Sequence, residues 1–138
     1  MTIDTVDALA QVPLLAGVER RDLERLARSF RERKFPEGHV ITGEGQPGVG
    51  FFVMLEGSAN VSVGGAQRTT LGPGSAFGEM ALLDQGPRSA TIVAASDVRC
   101  MALSAWEFKP FVEEHPTVAW ALLEALAKRL RALESDEH

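Results

Sequence analysis

The chain has 138 residues, 45% of them hydrophobic and 24% charged, which is the composition of one globular domain rather than of a disordered segment. Its net charge is −5 and its fourteen basic residues are scattered, whereas nucleic-acid binding requires clustered lysines and arginines that neutralise phosphates. No apolar run approaches the roughly eighteen residues of a membrane span, and the amino terminus lacks the apolar core of a signal peptide. We therefore expect no nucleic-acid partner, no membrane insertion and a cytoplasmic location.

The first predicted elements are helices, over about residues 7–34. Leu23, Leu26 and Phe30 recur at the spacing of one helix face. The basic clusters Arg20–Arg21 and Arg31–Lys34 are interpreted as solvated helix faces, since acidic residues interrupt or balance them.

Short apolar runs separated by glycine-rich turns follow, over about residues 35–103. This pattern is typical of an all-β fold. NVSVGGAQRTTL predicts a hairpin whose turn, Gly64–Gly65, supplies positive φ angles. ATIVAASDVRCMAL predicts two strands hinged at Ser96–Asp97, and Cys100 in this segment is expected to be a buried small hydrophobe.

Two helices are predicted over about residues 104–134. Ser104 and Glu107 have the spacing of a capping box, and Pro116 suits the first turn of the last helix. Trp106 and Trp120 are expected to pack the helices against the strands. The last helix carries an apolar stripe that comprises Val118, Leu122, Leu126, Leu130 and Leu133.

The predicted fold is therefore mainly β with flanking helices, in one domain over residues 1–138. We expect an eight-stranded antiparallel β-roll or jelly roll with an N-terminal helical segment and two C-terminal helices.

The segment FGEMALLDQGPRSAT concentrates the chemistry of the chain. Gly78 permits a close backbone approach, and Arg88 presents a fork of donors that matches phosphate oxygens. Glu79 only accepts hydrogen bonds, so it suits sugar hydroxyls. Ser89 and Ala90 are small enough for a ligand to reach the main chain. These residues indicate a nucleotide with a single phosphate charge; the alternative is a structural ion pair between Glu79 and Arg88.

FGEMALLDQGPRSAT closely resembles the phosphate-binding cassette of the cyclic nucleotide-binding domain family. That family includes regulatory subunits of cAMP-dependent kinase, cyclic nucleotide-gated channels and bacterial catabolite-activator-type regulators. PEGHVITGEGQPGVGFFVMLEGSANV also resembles the first strands of the family, with Thr42 and Phe52 as mild departures. The cassette matches at Gly78, Glu79, Ala81, Leu82, Arg88, Ser89 and Ala90.

The resemblance implies a role for each matching residue. Arg88 pairs with the cyclic phosphate, and the backbone N–H of Ser89 or Ala90 bonds its exocyclic oxygens. Glu79 takes the ribose 2′-hydroxyl, with help from the backbone of Gly78 and Met80. The Ser89 hydroxyl suits either cAMP or cGMP, and we expect cAMP.

The purine and the apolar wall involve residues outside the cassette. Leu126 or Arg129 on the last helix could cover the base, although an exposed Arg129 on a polar face is the alternative. Val61, Val63 and Leu71 would line the pocket if their strands face inward. The predicted ligand-binding set comprises Phe77, Gly78, Glu79, Met80, Ala81, Arg88, Ser89, Ala90, Val61, Leu71, Arg129 and Leu126.

The predicted function is a cyclic-nucleotide sensor without its own DNA-binding or catalytic output. Its signal would pass to a separate effector protein, to a fused output domain, or through a homodimer formed by the last helix. The alternative is a family member that binds no nucleotide and serves protein interaction. A metal-dependent enzyme would need clustered ligands, but His39, His115 and His138 are far apart; we expect no enzyme activity and no metal.

Overall fold

The computed structural model describes residues 4–43, 50–78, 83 and 90–136, with side chains as far as residue 134. The chain begins with α1 (Thr5–Ala10), a 3₁₀ turn (Pro13–Leu15) and α2 (Arg20–Ala27). Asp4 caps α1, because its carboxylate accepts a 2.8 Å hydrogen bond from the N–H of Val6. Arg20 ties α2 to α1 through a 2.9 Å ion pair with Asp7.

Eight antiparallel strands follow in the described residues, which confirms the predicted fold class. They are β1 (Arg31–Phe35), β2 (Val40–Thr42), β3 (Gly50–Glu56), β4 (Ala59–Val63), β5 (Ala66–Leu71), β6 (Ala76–Phe77), β7 (Thr91–Ala94) and β8 (Val98–Ser104). They form two four-stranded sheets, with strand orders β1-β8-β3-β6 and β2-β7-β4-β5. The strands β1 and β6 are thus the opposite edges of the first sheet.

The N-terminal helical segment ends earlier than predicted, because Arg31–Lys34 form most of β1 rather than a helix. The strand pairs with β8 from Arg31↔Ala102 to Phe35↔Val98. As an edge strand it is exposed along most of its length, so it lacks the apolar alternation by which a half-buried strand is recognised. Phe30, just before it, is buried and meets Phe51 edge-on at 5.8 Å between ring centroids.

The predicted hairpin and the predicted hinge are both confirmed. Gly64 and Gly65 have φ angles of 61° and 83°, the signs that a tight two-residue turn between β4 and β5 requires. Ser96 and Asp97 separate β7 from β8, and the Ser96 hydroxyl accepts a 3.0 Å hydrogen bond from the N–H of Ser58.

Two apolar cores lie on opposite faces of β3, which is buried on both sides. The helix-side core includes Phe51, Val53 and Leu55 and joins them to the N- and C-terminal helices. The roll interior includes Phe52 and Met54; its other buried members are Ala59, Ile92, Ala94, Val98 and Cys100. Alternate residues of one strand therefore serve two different cores.

The C-terminal helices are α3 (Ala105–Glu114) and α4 (Pro116–Asp136), and Pro116 begins α4 as predicted. Ser104 precedes α3 at the N-cap position, but its hydroxyl donates to the Glu107 carboxylate at 2.7 Å and caps no backbone N–H. The capping-box prediction is thus wrong in its bonding, although its two residues do meet.

Both tryptophans are exposed, so the prediction that they pack against the strands is wrong. Trp106 is 70% exposed because α3 buries the face of Ala105, Phe108 and Phe111 instead. Trp120 is 64% exposed. The predicted stripe on α4 also divides, since Val118 and Leu122 are buried whereas Leu130 and Leu133 are exposed.

Candidate functional site

The cassette segment connects β6 of the first sheet to β7 of the second sheet. Five of the predicted site residues lie outside the described residues, and their roles stay predictions. They are Glu79, Met80, Ala81, Arg88 and Ser89. The described parts of the site are its two ends and the strands that surround them.

Gly78 lies directly after β6 with a φ of 86°. Residues other than glycine rarely adopt this left-handed backbone conformation. The positive φ at the point where the chain leaves β6 therefore explains why a glycine precedes Glu79. Ala90, at the other end, lies at a bend directly before β7 and is half-buried. The structure therefore places the predicted cassette between a conformationally special glycine and the start of a central strand.

Phe77 forms one side of an aromatic row at this end of the roll. Its ring stacks on Phe52 with 5.2 Å between centroids and 20° between planes. Phe52 in turn meets Phe35 edge-on at 6.3 Å. Phe77 is only half-buried, whereas Phe52 is 7% exposed, so the row becomes more accessible toward the cassette.

Val61 and Leu71 pack, half-buried, against the same roll interior as Phe77. Val61 pairs with Ile92 of β7 on one side and with Thr69 of β5 on the other. Leu71 pairs with Ala59 at the end of β5. Three predicted site residues from separate strands thus pack against one buried interior, and we call them the roll mouth: Val61, Leu71 and Phe77.

Leu126 and Arg129 lie elsewhere in the described structure. They line a groove of about 520 Å³ between α4 and the residues around the 3₁₀ turn, among them Pro13, Leu14 and Gly17. A Cβ built on Gly17 would lie 3.5 Å from the Cβ of Ala121, so small residues let α4 approach this turn closely. None of the roll-mouth residues lines this groove. A role for Leu126 or Arg129 over the base stays a prediction.

Two residues of this region escaped the sequence analysis. Phe52 and Ile92 are buried behind the roll mouth, yet neither was predicted as part of the site. Phe52 belongs to FFVMLE, in which burial on both faces erases the polar–apolar alternation that shows which residues point inward. Ile92 could have been found from its position two residues after Ala90, because the strand that leaves the cassette must face the roll interior.

The described residues contain no cluster of metal ligands, and the one cysteine is buried. Within residues 4–43, 50–78, 83 and 90–136, no three His, Cys, Asp or Glu side chains lie together as a metal site. Cys100 is fully buried, as predicted, and burial raises the pKa of its thiol to about 11. It is therefore a protonated core residue at neutral pH rather than a nucleophile. None of the helices in the described ranges has the length and hydropathy needed to cross a bilayer.

Residues 32–115 match the family model of the cyclic nucleotide-binding domain. The fold is similar to the crystal structure of the N-terminal domain of a transcriptional regulator from Streptomyces coelicolor A3(2). That comparison has a TM-score of 0.86 and 32% sequence identity, and covers 94% of this chain and 96% of the other.

Two curated relatives extend the comparison. The cyclic AMP receptor protein of Thermus thermophilus is 36% identical over 124 residues, which are 86% of this chain and 57% of the receptor. The cyclic nucleotide-gated potassium channel mll3241 of Mesorhizobium japonicum is 40% identical over 111 residues, which are 80% of this chain and 31% of the channel. The chain thus spans little more than half of one relative and less than a third of the other.

Proposed function

This chain belongs to the cyclic nucleotide-binding domain family, and on that premise we propose that it is a regulatory domain whose ligand is cAMP in preference to cGMP. The family assignment confirms the resemblance seen in FGEMALLDQGPRSAT. The observation that carries the proposal is the geometry at the two described ends of this segment: Gly78 has a positive φ, and Ala90 leads into β7, which pairs with the strand of Val61.

In this proposal the ligand lies between the cassette and the roll mouth. Arg88 neutralises the cyclic phosphate, and the backbone N–H of Ser89 or Ala90 completes its hydrogen bonds. Glu79 accepts from the ribose 2′-hydroxyl, with the backbone of Gly78, Met80 and Ala81 nearby. Val61, Leu71 and Phe77 supply the apolar wall. Ligand sites of this kind combine apolar walls with a few placed polar groups.

Signal transmission would run through the C-terminal helices. The groove of Leu126 and Arg129 connects α4 to the 3₁₀ turn, and a change in the cassette would move α4 with respect to that turn. In the bound state Leu126 or Arg129 would cover the purine, where an arginine can stack on the ring face. A ligand shifts this equilibrium only by its different affinity for the two positions of the helix.

The output would lie outside this domain, in a separate effector or in a fused domain. The two relatives are named as a cyclic AMP receptor and a cyclic nucleotide-gated channel, and we propose no enzyme activity here.

A homodimer through α4 is part of the proposal. Trp120, Leu123 and Leu130 are all more than half exposed and recur at spacings of three and seven residues, which suits a helix–helix seam. In analytical ultracentrifugation we expect a dimer that Leu130→Glu dissociates. A monomeric wild type would remove the dimer from the proposal and leave the ligand site untouched.

Calorimetric titration with cAMP and cGMP tests the ligand site. Wild type should bind both and cAMP more tightly. Arg88→Ala should lose about 2–5 kcal/mol of binding free energy, because a buried phosphate loses its counter-charge. Arg68→Ala is the matched control: Arg68 is exposed on β5 and should bind as wild type does.

Each result has a distinct meaning. No binding of either cyclic nucleotide would favour the alternative, a family member that serves protein interaction. Binding that survives Arg88→Ala unchanged would show that Arg88 is a structural residue and that the phosphate site is misassigned.

A further inference from the structure

A second cleft lies at the opposite edge of the first sheet from β6. It has a volume of about 350 Å³, and its lining includes Arg31 and Arg33 of β1, Trp106 and Glu107 of α3, and Ala102 of β8. It shares Phe52 and Ala102 with the residues of the roll interior, but none of the roll-mouth residues lines it. Nothing in the proposed nucleotide site uses this cleft.

The strand register explains why the cleft forms. Arg31 pairs with Ala102, and Ala102 pairs with Phe52 on its other side. Directly paired residues point to the same face of a sheet, so a small alanine lies between a long arginine and a large aromatic ring. Because the Ala102 side chain is small, it leaves the cleft open between its larger neighbours. Trp106, at the start of α3, forms another border of the cleft.

Charge distinguishes this face of β1 from its other face. On the other face Glu32 pairs with Lys34 at 3.6 Å and with Arg99 at 3.7 Å, and Arg99 also pairs with Glu56 at 3.0 Å. That network balances its own charges.

The cleft face carries an excess of positive charge. The Arg31 side chain is 81% exposed and reaches a carboxylate, Glu107, only at 3.9 Å. The Ser104 hydroxyl already holds that carboxylate at 2.7 Å. Arg33 lies over the Phe35 ring at 5.2 Å, and no carboxylate of the described residues forms an ion pair with it. Two arginines and one glutamate thus give the cleft a positive charge on a chain whose net charge is −5.

We propose that this cleft, bordered by Trp106, Arg31 and Arg33, is a docking site for an acidic segment of a partner protein. Its carboxylates would pair with the two guanidinium groups, and an apolar side chain beside them would enter the cleft against Trp106. Exposed tryptophan and arginine are the residues most enriched at the energetic centres of protein interfaces. Two arginines are too few for the phosphate contacts that give nucleic-acid affinity, so protein is the favoured partner. The site would operate with or without a bound nucleotide.

Selection from random peptides displayed on phage tests the proposal. Peptides that bind wild type should combine aspartate or glutamate with a large apolar residue. A synthetic copy of a selected peptide should lose at least tenfold in affinity to the Arg31→Glu/Arg33→Glu variant and to Trp106→Ala. Arg68→Glu, a single charge reversal at an exposed arginine of the other sheet, should leave affinity unchanged, and melting temperatures verify that every variant is folded.

Tryptophan fluorescence locates the peptide. The chain has two tryptophans, so a Trp120→Phe background leaves Trp106 as the only reporter, and the peptide should protect it from acrylamide quenching. Selected peptides without acidic residues, equal binding by the double variant, no selectable peptide, or unprotected Trp106 would each overturn the proposal. Binding of a single-stranded DNA oligonucleotide in place of the peptide, with the same dependence on Arg31 and Arg33, would overturn it in favour of nucleic acid.

Discussion

The two cores of this domain share one strand but differ in what covers them. Phe51, Val53 and Leu55 of β3 face the helix-side core, whose buried members come from both ends of the chain. Phe52 and Met54 of the same strand face the roll interior, which is bordered by half-buried residues such as Phe77. The helix-side core holds the helices on the sheet, whereas the roll interior lies behind the residues of the proposed ligand site.

The difference indicates how stability and binding are divided in a small domain. Residues of β3 are buried on both sides, but only the roll-facing side lies next to the proposed ligand site. Substitutions in the helix-side core should therefore change folding, and substitutions at the roll mouth should change ligand affinity.

Phe51→Ala should produce the largest loss of stability. Phe51 is 0% exposed and meets Phe30 edge-on, and truncating such a residue leaves a cavity that costs about 3–5 kcal/mol. Urea denaturation measures the change in the free energy of unfolding. Lys109→Ala, at an exposed residue of α3, is the control and should stay within about 0.5 kcal/mol of wild type. If Phe51→Ala lowered the free energy of unfolding as little as the control does, the helix-side core would not be the source of stability proposed here.

Cys100 should make the roll interior sensitive to alkaline pH. Burial raises the pKa of its thiol from 9.0 to about 11, so the native state keeps a proton that the unfolded chain releases. The stability that the protonated thiol contributes is fully present below pH 9 and is lost as the pH rises to about 11. The free energy of unfolding should fall by about 2–3 kcal/mol over this range. Denaturation between these pH values should show a steeper decline for wild type than for Cys100→Ala. Parallel declines would mean that the thiol ionises normally in the folded protein.

Phe77→Ala should have the smallest effect on stability and a specific effect on binding. Phe77 is half-buried beside the cassette. Loss of its ring removes part of the apolar wall of the proposed site and should weaken cyclic-nucleotide affinity about tenfold, or about 1.4 kcal/mol. Phe35→Ala is the matched control, because Phe35 is also half-buried against Phe52 but lies on β1. Calorimetric titration should find its affinity unchanged. Equal losses in both variants would show that the whole aromatic row acts through stability alone.

The sequence predicted the parts of the fold that rest on local chemistry. The Gly64–Gly65 turn, the hinge at Ser96–Asp97 and the start of α4 at Pro116 all follow from backbone preferences of single residues, and the structure confirms them. Arg31–Lys34 were mistaken for a helix, because an exposed edge strand has no apolar period to reveal it. Such a strand depends on its pairing with β8, which is remote in sequence.

Dependence on contacts between residues remote in sequence also limits what could be predicted of the candidate site. Phe77, Val61 and Leu71 were predicted as site residues; the structure packs all three against the roll interior, and their role in binding stays a prediction. Trp106 and Trp120 were expected to pack the helices against the strands, but each helix buries only one face and neither residue lies on it. The residues Glu79 and Arg88 lie outside the described part of the chain, and their roles depend on the resemblance of their segment to the family.

Thermal melting with and without nucleotide tests the central claim, that this domain binds a cyclic nucleotide, most directly. At a cAMP concentration one hundred times its dissociation constant, the folded state gains about 2.7 kcal/mol, which raises the melting temperature by several degrees. AMP, which has the same base and sugar but no cyclic phosphate, should give a much smaller shift. An unchanged melting temperature with both cAMP and cGMP would contradict the account.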